Sequence, residues 1–414
     1  MKNNFNIPCI VAIIVFLILI FSCNNNEKQD SNKNTDNSYI NLFLDETKRE
    51  TELKMSSFFS SVKIIPLELT DNSMLGDINN LQIFEDKFII FDKTGANSVF
   101  VFNKKGEFLF EIGSKGSGPG EYSEISDFTI DYEKKLIFIL DNQRQIINVY
   151  QLTDAKYLYN LNIKNEDMAS FHIQHFDGGL YADVFYQNKS KKKKMHLLRS
   201  IDIETGKTKK LFLEVDKYNK GFNEMSFTGK GVFFSRKDDP VYMQLFMDTL
   251  VTLADNKVTP YLILNSKELV NKEDLEIAQN TNGNYSNITA DLFKINKYHT
   301  LENFIESNEF ILIKCYYKNM PRYLYYDKIK NQTGVYNILQ DDILFKDFDM
   351  KSNRIRINFL CEDITGLYAS IPNRNIPNLI DAFKKNELNY EQSNNSLSTI
   401  SEDSNPILLF YEYK

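Results

Sequence analysis

His172 and His175 are two of only four histidines in the chain, and a pair of imidazoles this close in sequence is the usual start of a metal site. On a strand, however, side chains three residues apart point to opposite faces, so the two read as solvated or core histidines unless the segment bends. Three adjacent acid pairs follow, Asp238 with Asp239, Asp341 with Asp342 and Glu362 with Asp363. Neighbours in sequence do not converge on one substrate unaided, and turn chemistry accounts for acidic residues at such places. Gly113 to Gly120 is glycine-rich, but it lacks the Gly-Lys-Ser/Thr ending and following helix that a phosphate loop requires. Cys315 and Cys361 each close an apolar, strand-like run without ligand-type neighbours at short spacing, and they read as buried free thiols. No catalytic set emerges, and no cofactor is expected. A divalent cation such as Ca²⁺ in a channel is the alternative that an enzyme reading would need.

Composition narrows the partners. A net charge of −7 argues against nucleic acid. The one basic run, Lys189 to Lys194, lies between strand patterns and reads as a solvated hairpin tip. Tryptophan is absent, which weakens a polysaccharide-binding case, although 32 Phe and 23 Tyr can supply stacking platforms. With 42% hydrophobic residues the chain can bury a large core.

The N-terminus points to export. Lys2 is followed by an almost wholly apolar stretch from Ile7 to Phe21 and then by Ser22 and Cys23. That stretch is shorter than the roughly 20 residues a membrane-spanning helix needs. It resembles a bacterial lipoprotein signal, with residues 1–22 removed and Cys23 lipidated; Ile20 and Phe21 depart from the usual box. Residues 24–38 contain no hydrophobe and read as a flexible tether, so that 23–38 would link the anchor to a body at 39–414. The expected location is the cell envelope, on the outer membrane.

The body is organised by a repeat. Phe88 to Asp92, Ser98 to Asn103 and Gly106 to Gly113 recur as Leu136 to Asp141, Ile146 to Tyr150 and Ala155 to Leu161. Asp92 and Asp141 stand 49 residues apart, as do Gly106 and Ala155, a period suited to a four-stranded propeller blade. Blades are expected over about 78–113, 122–163, 171–215, 231–264, 304–339 and 343–413, with helices near 267–278 and 376–386. Ile40 to Leu44 or Val62 to Leu69 should complete the last blade and close the ring. The fold is therefore all-β, a six-bladed propeller of four-stranded antiparallel blades with one or two short helical insertions.

Four features extend this reading: Lys54 to Glu68, the loop ending Gly120, Glu121, Tyr122, the pair of motifs Asp248 to Leu250 and Pro260 with Tyr261, and Glu402 to Leu408. Together they resemble the six-bladed β-propeller lipoproteins of Bacteroidota, relatives of NHL-repeat propellers. The resemblance implies fold, lipidation and an extracytoplasmic binding role, and it carries no catalytic residues. Because blade strands alternate in direction, the loops between strands two and three share a face with the loops that lead to the next blade. Lys115, Glu121, Tyr122 and Arg144 on that face are the candidate ligand contacts, while Asp92 and Asp141 are expected to cap turns. The expected function is a lipid-anchored module that binds an envelope protein, peptide or glycan. The alternative is a propeller hydrolase or lyase with a divalent metal in its channel.

Overall fold

The computed structural model describes residues 39–414 except 187–193, 223–231, 235–238, 255–256, 283–290, 293, 347–354 and 390–398. Cys23, the signal and tether segments, Asp238 and most of the basic run lie outside the described residues.

Six antiparallel sheets form a ring, a six-bladed β-propeller. The first three blades follow the sequence repeat. Blade one holds Asn80–Phe84, Lys87–Asp92, Ser98–Asn103 and Phe108–Ile112. Blade two holds Ile125–Asp131, Leu136–Asp141, Ile146–Gln151 and Tyr157–Asn162. Blade three holds Ile173–Phe176, Gly179–Asp183, His196–Ile201 and Thr208–Glu214. The first strands of blades one, two, three, five and six touch first strands of neighbouring blades around the central channel.

Six of the hydrophobic clusters each join one blade to the next. Between blades one and two, for example, Phe91 and Val99 pack with Ile130, Ile137 and Tyr150. A middle strand therefore buries both faces. This explains why Lys87–Asp92 is buried from its second residue to its last and why its sequence is a continuous apolar run rather than an alternation. The repeat extends to the backbone: Gly106 and Ala155 occupy equivalent tight turns with φ of 85° and 58°. A side chain at Gly106 would come within 2.0 Å of the Pro66 carbonyl oxygen, so glycine is required there for space as well as for conformation.

Blades four to six are completed by the N-terminal segment. In blade four, Phe233–Phe234, Val241–Tyr242, Thr249–Ala254 and Lys257–Asn265 gain a fifth, parallel strand, Ile40–Phe43. In blade five, Tyr298–Glu306, Phe310–Tyr317, Met320–Asp327 and Gln332–Gln340 gain Glu50–Lys54, also parallel. Phe59–Pro66 then joins Asn358–Glu362, Gly366–Ile371 and Ile407–Tyr413 as the outer strand of blade six. Of the two segments expected to close the ring, the later one does so; the earlier one covers the edge of blade four instead. Asn405, 1% exposed, secures the closure by accepting from Leu75 N at 2.8 Å and donating to the carbonyls of Glu68 and Ser73.

Besides a one-turn helix at Val215–Tyr218 that the sequence did not indicate, the two expected helices occupy Lys272–Asn282, somewhat beyond the expected stretch, and Ile376–Lys384, as expected. The latter follows Asn375, carries Pro377 in its first turn and buries Ile376, Leu379 and Ala382. Among the described residues no helix is long and apolar enough to cross a membrane.

Candidate functional site

Three buried carboxylates organise one face of the ring. Asp92, Asp141 and Asp183 end the second strands of blades one to three and are fully buried. Asp92 accepts from the amides of Gly76, Thr94, Gly95 and Ala96 at 2.7–3.1 Å. Asp141 accepts from Ser123 N at 2.7 Å and Arg144 N at 3.0 Å, and Asp183 from Phe171 N and His172 N at 2.7 and 2.9 Å. Each aspartate thus ties its own blade to the chain entering that blade's channel strand. The expected turn caps at Asp92 and Asp141 are present, and each also reaches this second segment. Asp183, the third member, lies 42 residues after Asp141 in a looser copy whose shortened period hid it.

The four candidate contacts serve the loop from Gly113 to Tyr122 in different ways. Ser114 and Lys115 pair with Glu121 and Tyr122, folding the loop on itself. Glu121 accepts from Gly118 N at 2.7 Å. Arg144 donates to Asp141 at 2.6 Å and to the Glu121 carbonyl at 2.5 Å. Tyr122 is 0% exposed, its hydroxyl 2.9 Å from that of Ser98, so in this conformation it offers a ligand no surface. Burial, partly offset by Ser98, pushes that hydroxyl up to about 12. The structure therefore brings Glu121 and Arg144 together with Lys115 exposed beside them, but none of the four lines the cavity at the channel mouth.

That cavity, about 360 Å³, lies at the channel mouth on the same face. Blade one supplies Asp77, Asn80 and Lys93; blades two and three supply Ser126, Asp127 and His172; blade six supplies Arg356 and Arg374. His172 Nδ1 lies 2.7 Å from Asp183. Burial pushes this imidazole down, yet the charge and hydrogen bond of Asp183 outweigh it and hold His172 above its ordinary range. Asp127 is held by Asn80 at 2.8 Å and Ile173 N at 3.0 Å; burial keeps its carboxyl above the usual range although His172 opposes the shift. Asp77 is raised by burial as well, against the nearby charges of Arg374 and Arg356. His175 points away from this group and stacks on Phe138, with ring centroids 5.4 Å apart. The two histidines do not meet, as strand alternation requires. Among the described residues no group of three or more His, Cys, Asp or Glu side chains is placed to hold a metal ion. Both described cysteines are free; Cys315 is buried, whereas Cys361 is only half-buried and lines the channel.

At the opposite face Glu362 accepts from Glu306 N at 3.0 Å and from the Tyr413 hydroxyl at 3.0 Å. Burial raises its carboxyl to about 8, against these hydrogen bonds. An unfolded glutamate titrates near 4.3, so between roughly pH 4 and 8 the unfolded chain releases this proton while the folded chain keeps it. The contribution of Glu362 to stability is therefore greatest below that window and falls as pH rises through it. Partial exposure discounts the full shift. Glu362→Gln should still gain about 2 kcal/mol over the native chain on going from pH 5 to pH 8, as read by urea unfolding at both values; equal slopes with pH would show that Glu362 is not the titrating group.

A protein-family profile, the domain of unknown function DUF4934, matches residues 38–412. The chain belongs to this family. The DUF4934 chain also matches the crystal structure of a Bacteroides fragilis protein assigned as exported, with a TM-score of 0.71 at 18% identity over 91% of this chain and 99% of that one. A Bacteroides vulgatus member of the duf4221 family matches with a TM-score of 0.47 at 12% identity, covering 86% and 97% of the two chains. Among curated proteins none matches. At 18% identity the Bacteroides fragilis structure speaks for the fold of the DUF4934 chain alone.

Proposed function

We propose that this protein is a lipid-anchored binding propeller of the cell envelope that takes a protein, peptide or glycan ligand at the channel mouth and its surrounding loops. The observation that carries the reading is the polar 360 Å³ cavity on the face fixed by Asp92, Asp141 and Asp183. A rigid rim with charged groups converging on a concave site is suited to recognition. The signal-like N-terminus and Cys23 supply the anchor, and the Bacteroides fragilis structure, whose protein is described as exported, agrees with an envelope location. Lys115 and Arg144 lie on the same face as the cavity, and Glu121 is the loop's own brace.

Thr94 lines the mouth from an exposed turn, so Thr94→Trp fills the mouth without entering the core. Envelope material retained by the full chain but not by Thr94→Trp would support the reading; equal retention by both would place binding elsewhere. For the anchor, Cys23→Ser should move the protein from the membrane to the soluble fraction and abolish labelling by a fatty-acid analogue. A variant that keeps both properties would remove lipidation from the proposal.

A further inference from the structure

Lys93, Arg356 and Arg374 reach the same mouth from three different loops. In a chain of net charge −7, cations at such a site would be expected to carry carboxylate partners. The charges of Arg374 and Arg356 act on the Asp77 carboxylate, yet Arg374 makes no side-chain hydrogen bond or salt bridge among the described residues, and neither does Lys93. Among the described residues Arg356 donates only to the amide oxygen of Asn358, at 2.9 Å. The scaffold nevertheless fixes their loops. Asn373 donates to the Leu75 carbonyl at 2.8 Å, anchoring the turn that carries Arg374 beside Asp77. Lys93 N donates to Asn79 at 2.7 Å.

The amides of the channel add a second, independent pattern. Asn80, Gln82 and Gln174, which line the cavity, donate from their nitrogens to Asp127, the Phe128 carbonyl and the His175 carbonyl, and their carbonyl oxygens accept no hydrogen bond among the described residues. Asn79 and Asn358 spend their oxygens on Lys93 N and Arg356, which leaves their nitrogens. Fixed acceptors and donors arranged around one cavity match hydroxyl groups, each of which gives and takes a hydrogen bond. Half-buried Phe234 and Phe359 line the same wall with apolar ring surface.

We propose that the mouth binds an acidic saccharide, with a carboxylate or sulfate on Arg374, Arg356 and Lys93, hydroxyls on the channel amides, and a sugar face against Phe234 and Phe359. Guanidinium groups suit either anion because their fork of N–H donors matches two oxygens at once. The proposal rests on the channel-mouth reading above and names its ligand class.

The test is titration calorimetry of the full chain in mild detergent with four probes: a digalacturonate, a sulfated disaccharide, a neutral disaccharide and an acidic tripeptide. At least one acidic saccharide should bind, more weakly as salt is raised, and which of the two binds identifies the anion. Arg374→Ala and Arg356→Ala should each weaken it by about tenfold to a hundredfold, the range for loss of a charge-assisted hydrogen bond. Arg374→Lys should fall between. Lys209→Ala, a charge removed from the outer strand of blade three, should change nothing. Arg374 is exposed and carries no structural bond, so its variants should unfold at the native denaturant midpoint; equal midpoints make a loss of binding local. Equal affinity for the neutral disaccharide, unaltered by Arg374→Ala, would overturn the acidic-saccharide inference and leave the channel-mouth reading standing. Binding of the tripeptide alone would do the same. If no probe bound at millimolar concentration the inference would fall, while the Thr94→Trp retention experiment would still decide the broader reading separately.

Discussion

Asp92→Ala should lower the unfolding free energy by about 2–4 kcal/mol, because four backbone amides of partly exposed turns lose one buried, charged acceptor together. The carboxylate takes Gly76 N and Ala96 N on one oxygen and Thr94 N and Gly95 N on the other, with Asp77 N farther out at 3.3 Å. Each stranded donor costs about 1–3 kcal/mol where water cannot reach it. The sum is reduced by what the loop regains through relaxation. Asp92→Asn should recover only part of the loss, because its amide nitrogen faces donors on one side. The packing leaves little room for adjustment: a side chain at Gly76 would come within 2.7 Å of Gly95. Urea unfolding of the two variants is the check. A loss below about 1 kcal/mol for alanine would mean that water takes over the donors and that Asp92 is not the clamp of this face.

Arg322→Ala should cost about 3–5 kcal/mol, the range for breaking a buried ion pair from one side. Arg322 lies in blade five and is 6% exposed. It grips Glu46 with two nitrogens, the shortest contact being 2.7 Å, while the Tyr298 hydroxyl donates to the same carboxylate at 2.8 Å. Glu46 sits between the two N-terminal strands that edge blades four and five, so losing this grip frees the segment that leads to ring closure. Burial pushes the Glu46 carboxyl up, but Arg322, Arg49 and Tyr298 together hold it below its ordinary value. For a depressed carboxylate the stabilisation is full above about pH 4.3 and is lost as pH falls through the folded value. The native chain should therefore lose more stability than Arg322→Ala on acidification. Replacing both partners, Glu46→Leu with Arg322→Met, should restore much of the loss. Parallel pH profiles for native and Arg322→Ala proteins would show that the pair does not hold the strap.

Much of the fold was legible because a propeller repeats one local solution. Blades one and two share a period of 49 residues from Asp92 to Asp141, and their middle strands keep unbroken apolar runs because they are buried between two blades. Blades four and five were harder to read. Their outer edges are covered by Ile40–Phe43 and Glu50–Lys54 from far upstream, and pairing across such a distance leaves no local pattern. The site divided in the same way. Lys115, Glu121, Tyr122 and Arg144 stood out as long or amphipathic side chains on loops of one face, but Tyr122 is buried and Glu121 and Arg144 are engaged in bracing the glycine-rich loop. Asp77, Arg356 and Arg374 had no motif to mark them, and His172 stood out only by its spacing to His175, which stacks on Phe138 away from the site.

The sequence by itself determined strands, turns, blade period and the face on which loops gather, since each depends on residues close along the chain. It also placed an aspartate at the end of the second strand, where a turn needs an acceptor. Only the tertiary structure decided which side chains meet at the channel. Asp77 and Arg374 are 297 residues apart and become neighbours because the ring brings blade six back to blade one. Ring closure is a cooperative result of packing between blades, and the charges it gathers at the mouth are set by that geometry rather than by any local spacing.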